Sequence, residues 1–225
     1  MIVLVCLESR QPSQASRAAL NLARRMGENA QVIMLSAGGA ARSASCEFVR
    51  QIEFVRRIVQ LRDSALDEAD FLTLGMVLAE AARHLEARVV LVGEHSDDEG
   101  QGLVPASIAH HLRAPLLAQV REVQFSTTDE DVLHVTVRAG GRLCKIRSPL
   151  PLVLATPPAL AGASSQPDQG QRSSATVETL TLVRLGIDAS RLVPRPDLLG
   201  ALVPVQAELV QHKSFDEAAQ ILLRR

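Results

Sequence analysis

The sequence predicts an α/β protein of three layers, in which helices cover both faces of a mostly parallel sheet, followed by a β-hairpin and a C-terminal arm. Hydrophobic residues make up 47% of the 225 residues but aromatic residues only 2%, so the core must consist of Val, Leu, Ile and Ala. Such side chains suit closely packed α/β layers. In the first half of the chain, short β-branched runs alternate with helical patterns. This order implies parallel strands joined by right-handed crossovers.

Five predicted strands and the helices between them occupy the first half of the chain. The first strand, residues 2–7, is apolar throughout, as expected of a central parallel strand that is buried on both faces. The other strands are predicted at residues 31–35, 57–61, 89–92 and 116–123. Ser13 and Asp70 are predicted to cap two helices, because their side-chain oxygens can accept from backbone N–H groups of the first turn. Two more helices are predicted, one with Phe48, Ile52 and Val55 on one face and one over residues 105–112.

The pattern changes in the second half of the chain. Residues 132–137 alternate apolar with polar side chains, residues 139–142 form a glycine-containing turn, and residues 143–146 continue the pattern. This predicts a β-hairpin. Residues 152–156 form an apolar run that is predicted to return to the main sheet.

The last third of the chain differs in composition. Residues 157–175 are rich in Pro, Gly, Ser, Gln and Ala, which is typical of a linker. Beyond it we predict a helix over residues 176–185 ended by Gly186, a short strand at Val203 and Val205, and a final helix opened by the capping box Ser214 and Glu217. We therefore predict an α/β nucleotide-binding-type domain at residues 1–157, a flexible linker at 158–175, and an arm at 176–225. The arm has too little apolar mass to fold alone, so we expect it to pack on the domain or on a partner subunit.

Composition and charge argue against several classes of protein. The 24 basic and 25 acidic residues give a formal charge of -1, and without Trp or Tyr the chain lacks the side chains on which bases stack. Nucleic acid is therefore not an expected partner. The cysteines Cys6, Cys46 and Cys144 are far apart, which predicts reduced thiols. The apolar start is short and lacks a basic leader, and no apolar run could span a bilayer, so we expect a cytoplasmic protein without membrane insertion.

The residues that usually carry catalysis do not form a recognisable set. The six histidines are scattered, and His110 and His111 are adjacent, so their rings should face different directions. Neither the P-loop motif, the dinucleotide fingerprint G-x-G-x-x-G nor the nucleophile elbow G-x-S-x-G occurs. We predict neither a catalytic group nor a metal site, and expect a protein that is not an enzyme.

A ligand site is expected at the carboxyl edge of the predicted sheet, because open parallel sheets bind ligands where the strand order reverses. Three strand ends carry suitable residues: the segment from Cys6 to Glu8, the segment from Ser36 to Gly39, and the loop from Gly93 to Gly102. The glycines of that loop allow close backbone approach, and the helix after it would present free N–H groups to an anion. The alternative is an acidic, solvated loop without a ligand.

Several stretches together resemble the β subunit of the electron transfer flavoprotein family. The run Val3-Leu4-Val5-Cys6-Leu7 is similar to the first strand of that family, and residues 87–93 resemble its Ala-Asp-Leu-Val-Leu-Thr-Gly segment. Residues 97–105, with Gln101, resemble its nucleotide loop. The run Leu112-Arg113-Ala114-Pro115, the Gly140-Gly141 hairpin and residues 149–156 follow in the family's order. The resemblance covers about two-thirds of the chain.

The resemblance implies a Rossmann-like sheet of the adenine nucleotide α-hydrolase type and the role of an electron carrier. Members pair with an α subunit that holds FAD, and the heterodimer takes electrons from a flavin dehydrogenase and passes them to a downstream acceptor. The β subunit holds AMP, or a second FAD in electron-bifurcating members. Carried over by position, the residues that would line the nucleotide are Cys6, Ala37, Gly93, Ser96, Asp97, Asp98, Gly100, Gln101 and Gly102.

This chain departs from the family pattern at several places. Glu8 stands where the family has a lysine, and the loop before Gln101 is shorter. After Thr156, a Pro, Ser, Gln and Gly-rich segment replaces the family's dehydrogenase-docking sequence. Two other functions therefore remain open: a stand-alone adenine-nucleotide-binding module similar to universal stress proteins, and a structural subunit that has lost its nucleotide.

Overall fold

The computed structural model of the protein describes residues 1–7, 12–38, 52–67, 69–95, 102–160 and 175–192. Its main sheet has seven strands in the order β10-β3-β2-β1-β4-β9-β5, and every recorded pairing in it is parallel. The strands are β1 Ile2–Leu7, β2 Gln31–Ala37, β3 Arg57–Leu61, β4 Val89–Gly93, β5 Leu116–Leu117, β9 Leu152–Thr156 and β10 Thr176–Leu180. With helices packed against it, this sheet confirms the predicted three-layer α/β/α fold.

The central strand β1 lies between β2 and β4 and is buried on both faces. Leu4 is opposite Ile33 on one side and Val90 on the other, and all three belong to one core layer. The neighbouring residues Val3 and Val5 point into the second core layer. Alternate side chains of a strand point to opposite faces of the sheet, so an uninterrupted apolar run is what two buried faces require.

Among the described residues, three α-helices flank the sheet: α1 Gln14–Arg25, α2 Phe71–His84 and α3 Val104–Leu112. As predicted, Ser13 and Asp70 cap α1 and α2, and Asp70 Oδ1 accepts from the backbone N–H of Thr73 at 2.7 Å. The helices α2 and α3 approach closely at Gly75, where an added Cβ would lie 2.2 Å from Ser107 Oγ. The glycine therefore permits this helix contact.

A second sheet is antiparallel and has three strands in the order β6-β7-β8, formed by β6 Val120–Phe125, β7 Val132–Ala139 and β8 Arg142–Pro149. The predicted hairpin is confirmed as β7 and β8, joined by Gly140 and Gly141 with φ of 54° and 79°. Positive φ at both central residues is typical of the tight hairpin turn whose twist matches the flanking strands. Val123, Leu133 and Val135 pack the inner face of this sheet on the core.

Two element predictions were wrong, and a third was wrong at the residues of it that the structure describes. The strand predicted at 116–123 is two strands in two sheets, because the chain turns between β5 and β6 at Gln119, whose φ is 55°. Ile52 and Val55 lie in a turn, not a helix, with the Val55 N–H donating to the Ile52 carbonyl. Residues 176–180 form strand β10, not the start of a helix.

Strand β10 pairs in parallel with β3 at one edge of the main sheet, although its residues follow β9 in sequence. Its β-branched residues Thr176, Val177 and Thr179 favour a strand. The Glu178 carboxylate accepts hydrogen bonds from Nη2 and Nε of Arg57, and the distance between Nη2 and Oε1 is 2.9 Å. A single 3₁₀ turn then ends at Gly186, as predicted for the end of this segment.

The remaining tail predictions concern residues that are not described. Residues 161–174 and 193–225 lie outside the described ranges, as does Phe48, and with them the strand at Val203 and Val205 and the helix opened by Ser214 and Glu217. The domain boundaries stay a prediction; the contacts group Met1–Arg195 into one compact unit. None of the described helices is long and apolar enough to cross a membrane.

An open groove of about 1030 Å³ lies where α2 and α3 end, at the amino edge of the sheet. Arg83 pairs there with Glu80 and also donates to the backbone carbonyl of His111. Partial burial lowers the pKa of His111 below its ordinary 6.5; Coulombic interactions with His110 and Arg83 also lower this pKa, while Glu80 opposes them. The neutral imidazole is therefore favoured in the folded protein.

We expect acid to destabilise the protein in part through His111. The unfolded chain takes up a proton near the ordinary pKa, and the folded chain only at lower pH, so stability falls as the pH drops below about 6.5. His111→Gln should reduce the difference in melting temperature between about pH 7.5 and about pH 5.5. An undiminished difference in this variant would assign the acid sensitivity to other groups.

Candidate functional site

The fold places its ligand crevice between β1 and β4. From β1 the chain proceeds outward to β2 and β3 on one side, and then returns to β4 on the other side of β1. This reversal of strand order leaves a crevice at the carboxyl ends of these two strands, where open α/β sheets bind ligands. Leu7 ends β1 and Gly93 ends β4, and the loop predicted to bind the nucleotide begins at Gly93.

The first turn of α1 lies directly against Gly93. A Cβ at Gly93 would be 3.0 Å from Ala15 Cβ, 3.0 Å from Ser16 N and 3.1 Å from Ala15 C. Two of these three atoms are backbone, so they cannot move aside as a flexible side chain could. Gly93 therefore sets how closely α1 approaches the end of β4.

Thr156 at the end of β9 ties the same three elements together. Its side chain is fully buried, and its Oγ1 lies 3.0 Å from the Ala15 carbonyl oxygen and 3.2 Å from the Val92 carbonyl oxygen. The single hydroxyl proton is shared between these two acceptors. The Thr156 carbonyl also accepts from the Glu94 N–H at 2.9 Å. β4, β9 and α1 are thus fixed to one another at the crevice.

The N-termini of α1 and α3 differ in which groups accept hydrogen bonds from their first-turn N–H groups. At α1, Ser13 Oγ accepts from the Ser16 N–H at 3.0 Å and lies 3.4 Å from the His95 carbonyl oxygen. At α3, the N-cap residue is Leu103, whose side chain cannot accept a hydrogen bond, and Pro105 occupies the first turn. The first-turn N–H groups of an α-helix have no acceptor within the helix. The start of α3 is therefore the better position for an anion.

The loop that follows β4 is closed at its base. Gly102 has a φ of +64°, and a Cβ there would lie 2.9 Å from His95 Nδ1 and 3.0 Å from the Glu94 carbonyl oxygen. The last residue of the loop therefore touches its first residues. The Glu94 carboxylate accepts a hydrogen bond from the side-chain amide of Gln119. This contact holds the Glu94 side chain at the base of the loop.

The predicted nucleotide-lining residues fall into three groups. Gly93 ends β4, and Gly102 lies against Glu94 and His95 at the base of the loop. Cys6 and Ala37 are fully buried in one core layer, so their side chains are not exposed to solvent at the crevice. Outside the described residues lie Ser96, Asp97, Asp98, Gly100 and Gln101, and with them Glu8. The role of all nine in nucleotide binding stays a prediction.

Sequence reasoning missed three residues that shape this edge: Thr156, His95 and Gln119. A signal existed for Thr156, since it is a polar residue that closes an otherwise apolar strand. His95 and Gln119 act through contacts with residues far away in sequence, which no local pattern indicates. In the described ranges, no three His, Cys, Asp or Glu side chains come together as a metal site would require.

The parallel seven-stranded sheet with its crevice between β1 and β4 defines a Rossmann-like α/β protein. The model of the electron transfer flavoprotein domain matches residues 3–185, and the chain belongs to this family. Electron transfer flavoprotein subunit beta of Methylophilus methylotrophus is 24% identical over 136 residues, which are 60% of this chain and 52% of that protein. The chain thus matches about half the length of this curated relative.

Proposed function

We propose that this protein is a β-type subunit of an electron transfer flavoprotein in the cytoplasm. It would pair with an FAD-binding α-type subunit and help to carry electrons from a flavin dehydrogenase to a downstream acceptor. The observation that carries the proposal is the family match over residues 3–185, which spans the main sheet, the crevice and the hairpin. The similarity to a β subunit, and not only to the family, favours the β-type role.

The crevice has features that fit the phosphate of an adenine nucleotide. The start of α3 offers first-turn N–H groups beside Gly102, where the absence of a side chain leaves the backbone accessible. Glu94 is the described carboxylate at the base of the loop, and it accepts a hydrogen bond from the side-chain amide of Gln119. Gly102, with His95 beneath it, would position the loop on the nucleotide.

The flavin supplies the redox chemistry when the α-type subunit binds it, because FAD accepts and releases electrons reversibly. The residues of this chain would contribute the rigid edge on which a nucleotide and the partner are placed. Thr156, Gly93 and the first turn of α1 hold that edge. No described side chain is proposed to transfer an electron or a proton.

Co-expression with an α-type subunit tests the proposal. We expect a yellow heterodimer with the absorption of bound flavin, which releases AMP together with FAD when it is denatured by acid. A colourless chain that fails to associate would contradict the proposed role. Nucleotide released from a homodimer without flavin would instead identify a stand-alone nucleotide-binding module.

Gly102→Val separates nucleotide binding from pairing. The valine side chain would displace His95 or the Glu94 carbonyl and open the base of the loop, so the AMP released per heterodimer should fall. Gly141→Val is the matched control, because Gly141 also has positive φ but has open space around it and lies far away in the hairpin turn. If both variants keep the same AMP content, or if the unaltered heterodimer releases none, the site is not where we place it.

A further inference from the structure

The hairpin of the small sheet extends beyond the core that supports it. Val137 is the last residue of β7 that is buried, at 5% exposure. Every residue from Arg138 through Lys145 is exposed, including Cys144, which shares the inner face of the sheet with Val137. We call residues 138–145 the hairpin arm. Its two strands remain paired to the last residues before the turn, Ala139 and Arg142, so the arm is a regular structure with solvent on both faces.

The hairpin arm carries basic side chains and one exposed apolar side chain. It carries Arg138, Arg142 and Lys145, and no acidic residue occurs between positions 132 and 149. Arg147, just beyond the arm, pairs with Asp129 at 3.1 Å, whereas no ion pair among the described residues involves the three cations of the arm. The side chain of Leu143 is among these charges and is 69% exposed.

The backbone of β8 has an open edge. β8 is the last strand of the small sheet, and within the described residues no strand pairs with its outer side. In an antiparallel sheet, alternate residues of such a strand direct their N–H and C=O groups outward, where another strand can pair with them. Eight residues, Arg142–Pro149, form this edge.

The charges decide which strand can pair there. Lysine and arginine on an edge prevent association of like strands, and a second copy of β8 would bring cations against cations. An acidic strand meets the opposite condition, since the carboxylates on one of its faces would lie beside Lys145 and Arg147, which share the outer face of β8. Nucleic acid fits less well, because the arm has no aromatic side chain for stacking.

We propose that the hairpin arm is a docking site for an acidic, extended segment of a partner protein, which adds a fourth strand to the small sheet along β8. Backbone hydrogen bonds hold the segment, and its carboxylates contact Lys145 and Arg147, which lie on the same, outer face of β8. This mode is strand addition to an open sheet edge. It goes beyond the proposed electron-transfer role and does not require a bound nucleotide.

A labelled peptide of eight alternating glutamate and valine residues tests the proposal on the full chain by fluorescence anisotropy. We expect saturable binding below about 1 mM, which weakens as salt is raised, and added protection of residues within 142–148 from amide hydrogen exchange. The same peptide with N-methylated glutamates cannot donate from those amides and should bind at least about tenfold more weakly. Equal binding of both peptides, or none below about 1 mM, would overturn the proposal.

Charge reversal on the arm provides the second comparison. Lys145→Glu with Arg147→Glu should weaken binding of the acidic peptide about tenfold, because attraction becomes repulsion at two positions on one face of β8. Arg24→Glu with Arg25→Glu is the matched control, since both residues are exposed at the end of α1, and it should bind as the unaltered chain does. A single-stranded oligothymidylate that binds more tightly than the peptide would assign the arm to nucleic acid and overturn the proposal.

Discussion

Gly93→Val is expected to destabilise the protein by about 3 kcal/mol, because the new side chain would overlap the first turn of α1. Even the first added carbon would lie 3.0 Å from Ser16 N and 3.1 Å from Ala15 C, and both atoms belong to the helix backbone. The helix cannot retreat without breaking the hydrogen bond from Thr156 Oγ1 to the Ala15 carbonyl. Urea denaturation monitored by circular dichroism measures the loss as a lower midpoint.

A pair of smaller substitutions checks the cause. Gly93→Ala should cost about 1–3 kcal/mol, and adding Ala15→Gly should restore only part of it, because one of the three close contacts is then removed and two backbone contacts remain. Full recovery in the double variant would mean that the Ala15 side chain alone resists the change. No loss in Gly93→Ala would contradict the close approach of α1 to β4.

Leu4→Ala is expected to cost about 2–5 kcal/mol, the range for a leucine truncated in a core that cannot collapse around the cavity. Leu4 is fully buried in the central strand, and its neighbours across the sheet are Ile33 and Val90. Because β2 and β4 hold these neighbours in a hydrogen-bonded register on both sides, the gap left by the truncation should close only in part.

The same substitution at an exposed leucine is the control. Leu143 is 69% exposed on the hairpin arm, so Leu143→Ala should change the free energy of unfolding by less than about 0.5 kcal/mol. The difference between the two variants isolates the contribution of burial from that of the residue type. Similar losses in both variants would contradict the position of Leu4 in the core.

The sequence predicted best the features that depend on residues close together in the chain. Strands β1 and β3 begin and end where the sequence predicted, and β1 shows the uninterrupted apolar run that a strand buried on both faces favours. Ser13 and Asp70 were correct as caps, since the hydrogen bond that defines a cap spans only three residues. The hairpin followed from alternation and from the pair of glycines at its turn.

The wrong predictions concern features that depend on distant contacts. Residues 116–123 were predicted as one strand, yet β5 pairs with β9 while β6 pairs with β7, so the two halves belong to different sheets. The β-branched residues of 176–180 favour a strand. The unpaired edge of β3, which is far away in sequence, decides that they form one. At the crevice, the sequence indicated Gly93 and Gly102 as residues of the loop, and their role in nucleotide binding stays a prediction. Thr156 was missed because it acts by a hydrogen bond to Ala15, which is far away in sequence.

The position of β10 has a consequence for how the protein is made. β3 leaves the ribosome early, but the strand that covers its outer edge is among the last described parts of the chain to be synthesised. Until then, β3 presents an unpaired row of backbone groups, which is a template for association between nascent chains. A chain that stops before Thr176 retains this exposed row permanently, and should therefore depend more on chaperones, even though all residues of the crevice are present.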